Sequence, residues 1–373
     1  MNDINTLWNT HITPQFSGME KRSLGEKGAR YAAPVKEGRI VSRRVELAGS
    51  VTFEQDTVIL SEEFIAPSAR EPSIPTIMLG EDVEDLTIVA RTIRGHVVIK
   101  KEAPPPGKPG APGVEGTPGA PGAPGFKGRD GKDASLTHSS KDGKLGGPGE
   151  KGGDGGKGGM GHAGEHGRDG VDIHIIAEKY EPGTSFDISN PGANGGDGGP
   201  GGRGGPSGKG GDGGPGGKGG DGYLFHTGPR RGGNGGDGGD GGPGGNGGDG
   251  GDTTIHYIDP ANIPESVDHH SIGGTGGRGG PRGSGGPGGA AGKGGRGGKG
   301  GKDHLHGQPG FAGDNGKPGK SGEDGKRGPD GTLGKVGEVG FKQIRIEDFA
   351  VAAAGAFEEP DARKILTELG MAE

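Results

Sequence analysis

The side chains able to do chemistry are few and unevenly placed. His138, His226, His304 and His306 fall in short segments between glycine-rich stretches, and His269 and His270 lie in a longer one. His304 and His306 flank Leu305, so an extended backbone puts both imidazoles on one side, which is how a metal site begins. Two ligands do not complete one, and no metal site is expected. Glu54, Asp56, Glu62 and Glu63 could supply the paired carboxylates of a polysaccharide-cleaving enzyme. Carboxylates on short strands and turns are more often simply solvated, and no Gly-x-Ser-x-Gly elbow, phosphate loop or zinc motif accompanies them. The chain is therefore expected not to be an enzyme and to need no cofactor. The best candidate binding residues are His138, Tyr223, Leu224, Phe225, His226, Arg230, Arg231, His304 and His306, because aromatic and Arg side chains dominate interface energetics.

What must position them is a glycine scaffold. Glycine contributes 97 of 373 residues, hydrophobic residues only 25% and aromatics 4%, so no ordinary apolar core runs through the chain. The glycines are periodic. They recur at every third position in six blocks, 107–131, 143–170, 192–222, 232–251, 273–301 and 310–340. A polyproline-II-type helix has three residues per turn, so such glycines line one edge, where a neighbouring backbone can approach. That helix makes no internal hydrogen bonds, and its amides must find partners on neighbouring segments or in water. Blocks of Gly-Gly-X have two bare edges and belong inside; the first and last blocks are Gly-X-Y and belong at the rim. The short connections 134–142, 223–231 and 302–309 cannot return a rod of thirty residues to its start, since nine extended residues span about 32 Å. The blocks must run up and down, with these three loops at one end. The loops hold the candidate binding residues.

Around the blocks the texture changes to strands. Residues 1–38 read as an N-terminal arm and 39–103 as a β-strand base, with Val, Ile, Thr and Phe alternating in RIVSRRVELAG and DLTIVARTIRGHVVIKK. Residues 104–340 form the glycine bundle, whose even-numbered blocks exit into strands 171–180 and 253–259. Residues 341–373 hold a final strand and a short helix from 360 to 369 with Pro at its first position. The expected fold class is mostly irregular and all-β: a bundle of six antiparallel polyglycine-II helices on a small β base, which a β-solenoid would satisfy, with a short C-terminal α-helix.

Composition excludes other classes. Fifty acidic and 43 basic residues are finely mixed to a net charge of −7, which offers no basic stripe to nucleic acid. Cysteine is absent, removing disulfides and thiolate chemistry. The start MNDINTLWNTH has no signal-peptide character, and no apolar run is long enough to span a membrane. The run GGDGGDGGPGGNGGDGG has the Asp content of calcium-binding nonapeptide rolls but lacks their apolar residue per repeat, so its carboxylates read as solvated rows.

Six glycine-row blocks with charged or Pro positions between them resemble two groups, the springtail antifreeze proteins and the glycine-rich receptor-binding adhesins at the tips of phage long tail fibres. The likeness covers about 107–340 and rests on the repeat pattern. Collagen-like proteins are similar in texture, although Gly-Gly-X triplets suit a triple helix poorly. Positions that are small and uncharged on the ice-facing rows of the antifreeze group hold Asp212, Lys218, Asp237, Arg278, Arg296 and Lys299 here. Resemblance to the adhesins implies a base that attaches the molecule and loops at the far end that meet a surface receptor or glycan. The expected function is accordingly a non-enzymatic display or binding module. The alternative is a structural or assembly component, with partners bound through the β base and the N-terminal arm. The bundle itself is expected to be monomeric.

Overall fold

The computed structural model describes residues 4–26, 33–69, 74–130, 147–210, 212, 239–294, 296, 315–369 and 371. Its regular structure is two parallel β-sheets. The eight-stranded sheet holds β1 (Lys21–Leu24), β3 (Arg39–Val41), β4 (Arg44–Leu47), β6 (Thr57–Ile65), β8 (Asp85–Arg94), β10 (Asp172–Tyr180), β12 (Thr253–Tyr257) and β14 (Val339–Gln343). The six-stranded sheet holds β2 (Ala33–Val35), β5 (Val51–Phe53), β7 (Thr76–Leu79), β9 (His96–Lys101), β11 (Ser185–Ser189) and β13 (Ser266–His270). From β4 onward the chain alternates between the sheets, so each pass lays its strands beside those of the pass before. The switch from β8 to β9 is made at Gly95, whose φ of 95° admits glycine at no steric cost.

Alternation in the sequence becomes a core because the passes stay in register. Ile59, Ile88, Ile175, Ile255 and Phe341 form one inward column across the eight-stranded sheet. Val51, Ile77, Ile99, Ile188 and His269 form a column in the other. The side chains between the sheets are fully buried over most of its length, Phe53, Phe64 and Phe186 among them. Burial of this kind is worth about 25 cal/mol per Å² of apolar surface, and here it holds together strands far apart in sequence.

A second apolar layer covers the outer face of the eight-stranded sheet. Residues 4–16 are not an extended arm: α1 (Ile4–Thr6) runs on into a wider turn over Leu7–Ile12 and a tight one over Thr13–Phe16. Leu7, Trp8, Ile12 and Phe16 pack on Leu60, Val89 and Ile176. The same layer takes in two C-terminal helices, α2 (Ile346–Gly355) and α3 (Glu359–Glu368), where a single helix over 360–369 was expected. The Trp8 and Phe349 rings lie 5.8 Å apart, so the two ends of the chain meet on one sheet.

The expected fold class is corrected by these sheets. The molecule is organised by parallel sheets of eight and six strands, and not as a bundle of six antiparallel polyglycine-II helices on a small β base. The described residues of the glycine stretches carry no helix or strand until β14 begins at Val339, and their mutual directions are mixed. Each runs antiparallel to the next in the chain, as in Gly196 N to Glu165 O and Gly199 N to His162 O. Each runs parallel to the one after that, as in Gly195 N to Thr275 O and Gly198 N to Arg278 O. The physical reason is that the strands fix the direction and register of everything attached to them. Ile175 and Ile255 on β10 and β12 are 80 residues apart, and so are Asp169 and Asp249, which hydrogen-bond in the glycine stretches that precede those strands. Ser185 and Ser266 on β11 and β13 are 81 apart, as are Asn194 and Thr275 beyond them. The glycine stretches thus continue the two sheets as two rows of cross-bonded backbone. A periodic sequence shows where backbones can approach; it does not show which long-range strand pairing decides their order.

Candidate functional site

Two features of the described residues have the polar character of a site. The first is the surface of the glycine array. Interior glycines are packed so closely that a Cβ added to Gly199, Gly242 or Gly280 would run into a carbonyl of the adjacent stretch. The second glycine of a triplet donates to the previous stretch, as Gly242 N does to Gly199 O at 2.8 Å and Gly280 N to Gly242 O at 2.7 Å. The third residue points outward, and its own amide is accepted by a side chain of the parallel neighbour. Asp197 Oδ1 accepts from Arg278 N, Asp240 Oδ1 from Lys326 N and Asp249 Oδ1 from Lys335 N, each at 2.7 Å. Asn194 and Asn246 do the same for Thr275 and Thr332. The Asp and Asn rows are thus hydrogen-bond acceptors for the backbone and not only solvated charge. Asp212 shows the consequence: the Lys293 amide, then the Lys209 side chain, hold its carboxyl below the usual range.

The second feature is a cleft of about 740 Å³ where the sheets give way to the glycine array. The turn before β8 contributes Glu81, Asp82, Val83 and Glu84; the end of β9 contributes Lys101; the approach to β10 contributes Arg168, Asp169 and Asp172. Arg168 reaches Glu81 at 3.2 Å and Asp82 at 3.3 Å. Lys101 is buried and donates its amine to the Val83 carbonyl at 3.0 Å. Burial, with Arg168 adding to it, pushes that amine below the ordinary lysine value. Carboxylates predominate on the lining, so the cleft suits a cation or a hydroxyl-rich molecule better than a phosphate. The Lys101 amine is turned onto a backbone carbonyl and serves as a strut. The sequence signal for this cleft was the acidic run GEDVED; Lys101 read only as the end of a strand.

The four carboxylates considered for hydrolysis are engaged in structure. Asp56 Oδ1 accepts from Glu84 N at 2.7 Å and Asp85 N at 3.0 Å. Glu62 takes Thr13 Oγ1 and Arg43, Glu63 pairs with Arg44, and Glu54 with Lys36. His269 bonds Ser271 Oγ at 2.8 Å and His270 lies 3.2 Å from Asp268. Among the described residues no group of three or more His, Asp and Glu could hold a metal ion. Nor is any helix among them long and apolar enough to cross a membrane. The candidate binding residues His138, Tyr223, Leu224, Phe225, His226, Arg230, Arg231, His304 and His306 all lie outside the described residues.

No family model and no curated protein matches this chain. Among solved structures, a springtail antifreeze protein from Granisotoma rainieri, a nine-helix polyproline type II bundle, is 23% identical over 57% of this chain and 94% of its own. Its TM-score of 0.09 carries no statement about the fold or function of this chain.

Proposed function

We propose that this protein is a non-enzymatic display module, in which the two sheets form a base and the cross-bonded glycine array carries loops to its far end for contact with a surface receptor or glycan. The observation that supports this is the hydrogen bonding of the array. Each described stretch is fixed to others on more than one side, without an apolar core and without a second chain. Such cross-bonding braces the described part of the array as a spacer, which is useful for presentation and unnecessary for catalysis. Most of the array's outer surface offers repetitive Asp, Lys and Pro, poor anchors for a specific contact, with Val114, Phe126, Met160, Leu333 and Val336 as scattered apolar exceptions, so receptor recognition is assigned to the connections 134–142, 223–231 and 302–309.

The experiment is binding of the whole chain to candidate cell surfaces and glycan arrays, with and without the paired substitutions Phe225→Ala and Arg230→Ala. Loss of binding at an unchanged melting temperature supports the proposal. Retained binding by a variant that melts earlier makes these residues a cap and moves recognition elsewhere.

A further inference from the structure

The two ends of the wound sheets are finished differently. At the starting edge, β2 carries Pro34, which has no amide to offer a further strand, and β1 is lined by Lys21 and Arg22, paired with Glu46 and Glu37. At the finishing edge, β13 and β14 have no neighbour beyond them among the described residues. Phe341, the last member of an otherwise buried inward column, is 50% exposed, and Ile272, which follows β13, and Leu333 and Val336, which precede β14, are 66%, 74% and 66% exposed. The glycine array ends in the same contrast. Asp324 and Asp330 of the last stretch accept the amides of Gly285 and Gly279, covering the edge at those two positions. Nearer the sheets the equivalent positions are Leu333 and Val336, and the amides of Gly276 and Gly273 have no acceptor among the described residues. Hydrocarbon and unpaired backbone left together are the signature of a surface that another chain covers.

We propose that the occupant is a second copy of this chain, related by a two-fold axis that runs along the glycine stretches, with β13 of each copy pairing antiparallel to β14 of the other. The edge is complementary to itself under that operation. The carbonyls of Gly331 and Gly334 have no donor among the described residues, and they stand beside Gly276 and Gly273, so the rotation brings acceptors of one copy level with donors of the other. It also sets Asp268, exposed on β13, on the same outward face as Lys342, exposed on β14, while Val267 and Phe341 meet on the inward face. Head-to-tail growth is blocked by Pro34 at the starting edge, so the assembly closes at two copies. The array still forms within one chain; the second copy covers only its last edge.

Sedimentation velocity of the full chain over a hundredfold concentration range tests this. The expected result is a species of twice the chain mass. Leu333→Lys with Val336→Lys is expected to weaken association at least tenfold without moving the melting temperature of the monomer. Asp268→Lys alone is expected to weaken it as well, and Asp268→Lys with Lys342→Asp to restore it. A wild-type chain that stays monomeric throughout overturns the proposal. So does a dimer indifferent to the edge substitutions, or one that the charge exchange fails to rescue.

Discussion

The sheets and the glycine array solve one problem in opposite ways. In the sheets, backbone pairs with backbone in the plane, and the space between planes is filled by side chains such as Ile88, Ile175 and Phe186. In the array the space between rows is filled by backbone, because nothing projects from Gly199, Gly242 or Gly280. The sheet core therefore tolerates exchange of one apolar side chain for another of similar volume and suffers from loss of volume. The array core should show the reverse. The difference also separates the sources of register. Triplets of Gly-Gly-X are nearly identical along their length and could slide by three residues, whereas a strand shifted by one residue turns its apolar face to water. The shared spacings of 80 and 81 residues show the array inheriting the register of the sheets.

The largest effect that could break this comparison is expected from Gly242→Val. The new side chain meets the His162 carbonyl, and the bonds from Gly242 N to Gly199 O and from Gly280 N to Gly242 O are lost as the rows part. Each buried group left unpaired costs about 1–3 kcal/mol, and thermal unfolding should drop well below that of any exposed-row variant. A melting temperature matching the wild type would mean that the rows are not closely packed.

Next in size is Ile175→Ala in the sheet core, where loss of a fully buried side chain costs about 2–5 kcal/mol. Ile175→Val should cost about 0.5–1.5 kcal/mol, and chemical denaturation of both variants measures the ratio. Near-equal losses would deny the sheets the side-chain packing that sets them apart from the array.

Asp240→Ala sharpens the role of the outward rows. It removes the acceptor of the Lys326 amide, which is partly open to water, so the expected loss is about 0.5–1.5 kcal/mol, while Asp240→Asn should retain most of the stability. If Asp240→Asn is as damaging as Asp240→Ala, charge and not acceptance is what the row supplies.

The last effect is a pH dependence on the sheet side. His256 lies 5.7 Å from the His174 ring, and burial first, then His174 and Lys342, lower its pKa from 6.5 to about 4. A folded-state value below the unfolded one favours the neutral ring, so its contribution is complete above about pH 6.5 and is lost as pH falls towards about 4. Thermal unfolding followed between those values should show stability declining with acid, and His256→Gln should flatten the slope. An unchanged slope would assign it to other groups.

By itself the sequence determined where backbones could touch and where side chains could not intrude, because a bare edge every third residue is a local property of 107–131 or 310–340. It also located strands such as DLTIVARTIRGHVVIKK and VDIHIIAEKY, since alternation is local too. What it did not contain was the pairing of those strands into two parallel sheets, which brings Ile59, Ile88, Ile175, Ile255 and Phe341 into one column from five separate places. SFDIS and SVDHH became strands only because β9 and β11 offered edges to pair with. Trp8, at the start of what read as an arm, is buried because α2 and the outer face of the larger sheet supply surfaces that no neighbour in sequence predicts. The cleft beside Lys101 was illegible for the same reason, its lining being drawn from residues 81 to 172. Glycine periodicity decides how near two backbones can come, and the distant strands decide which two they are.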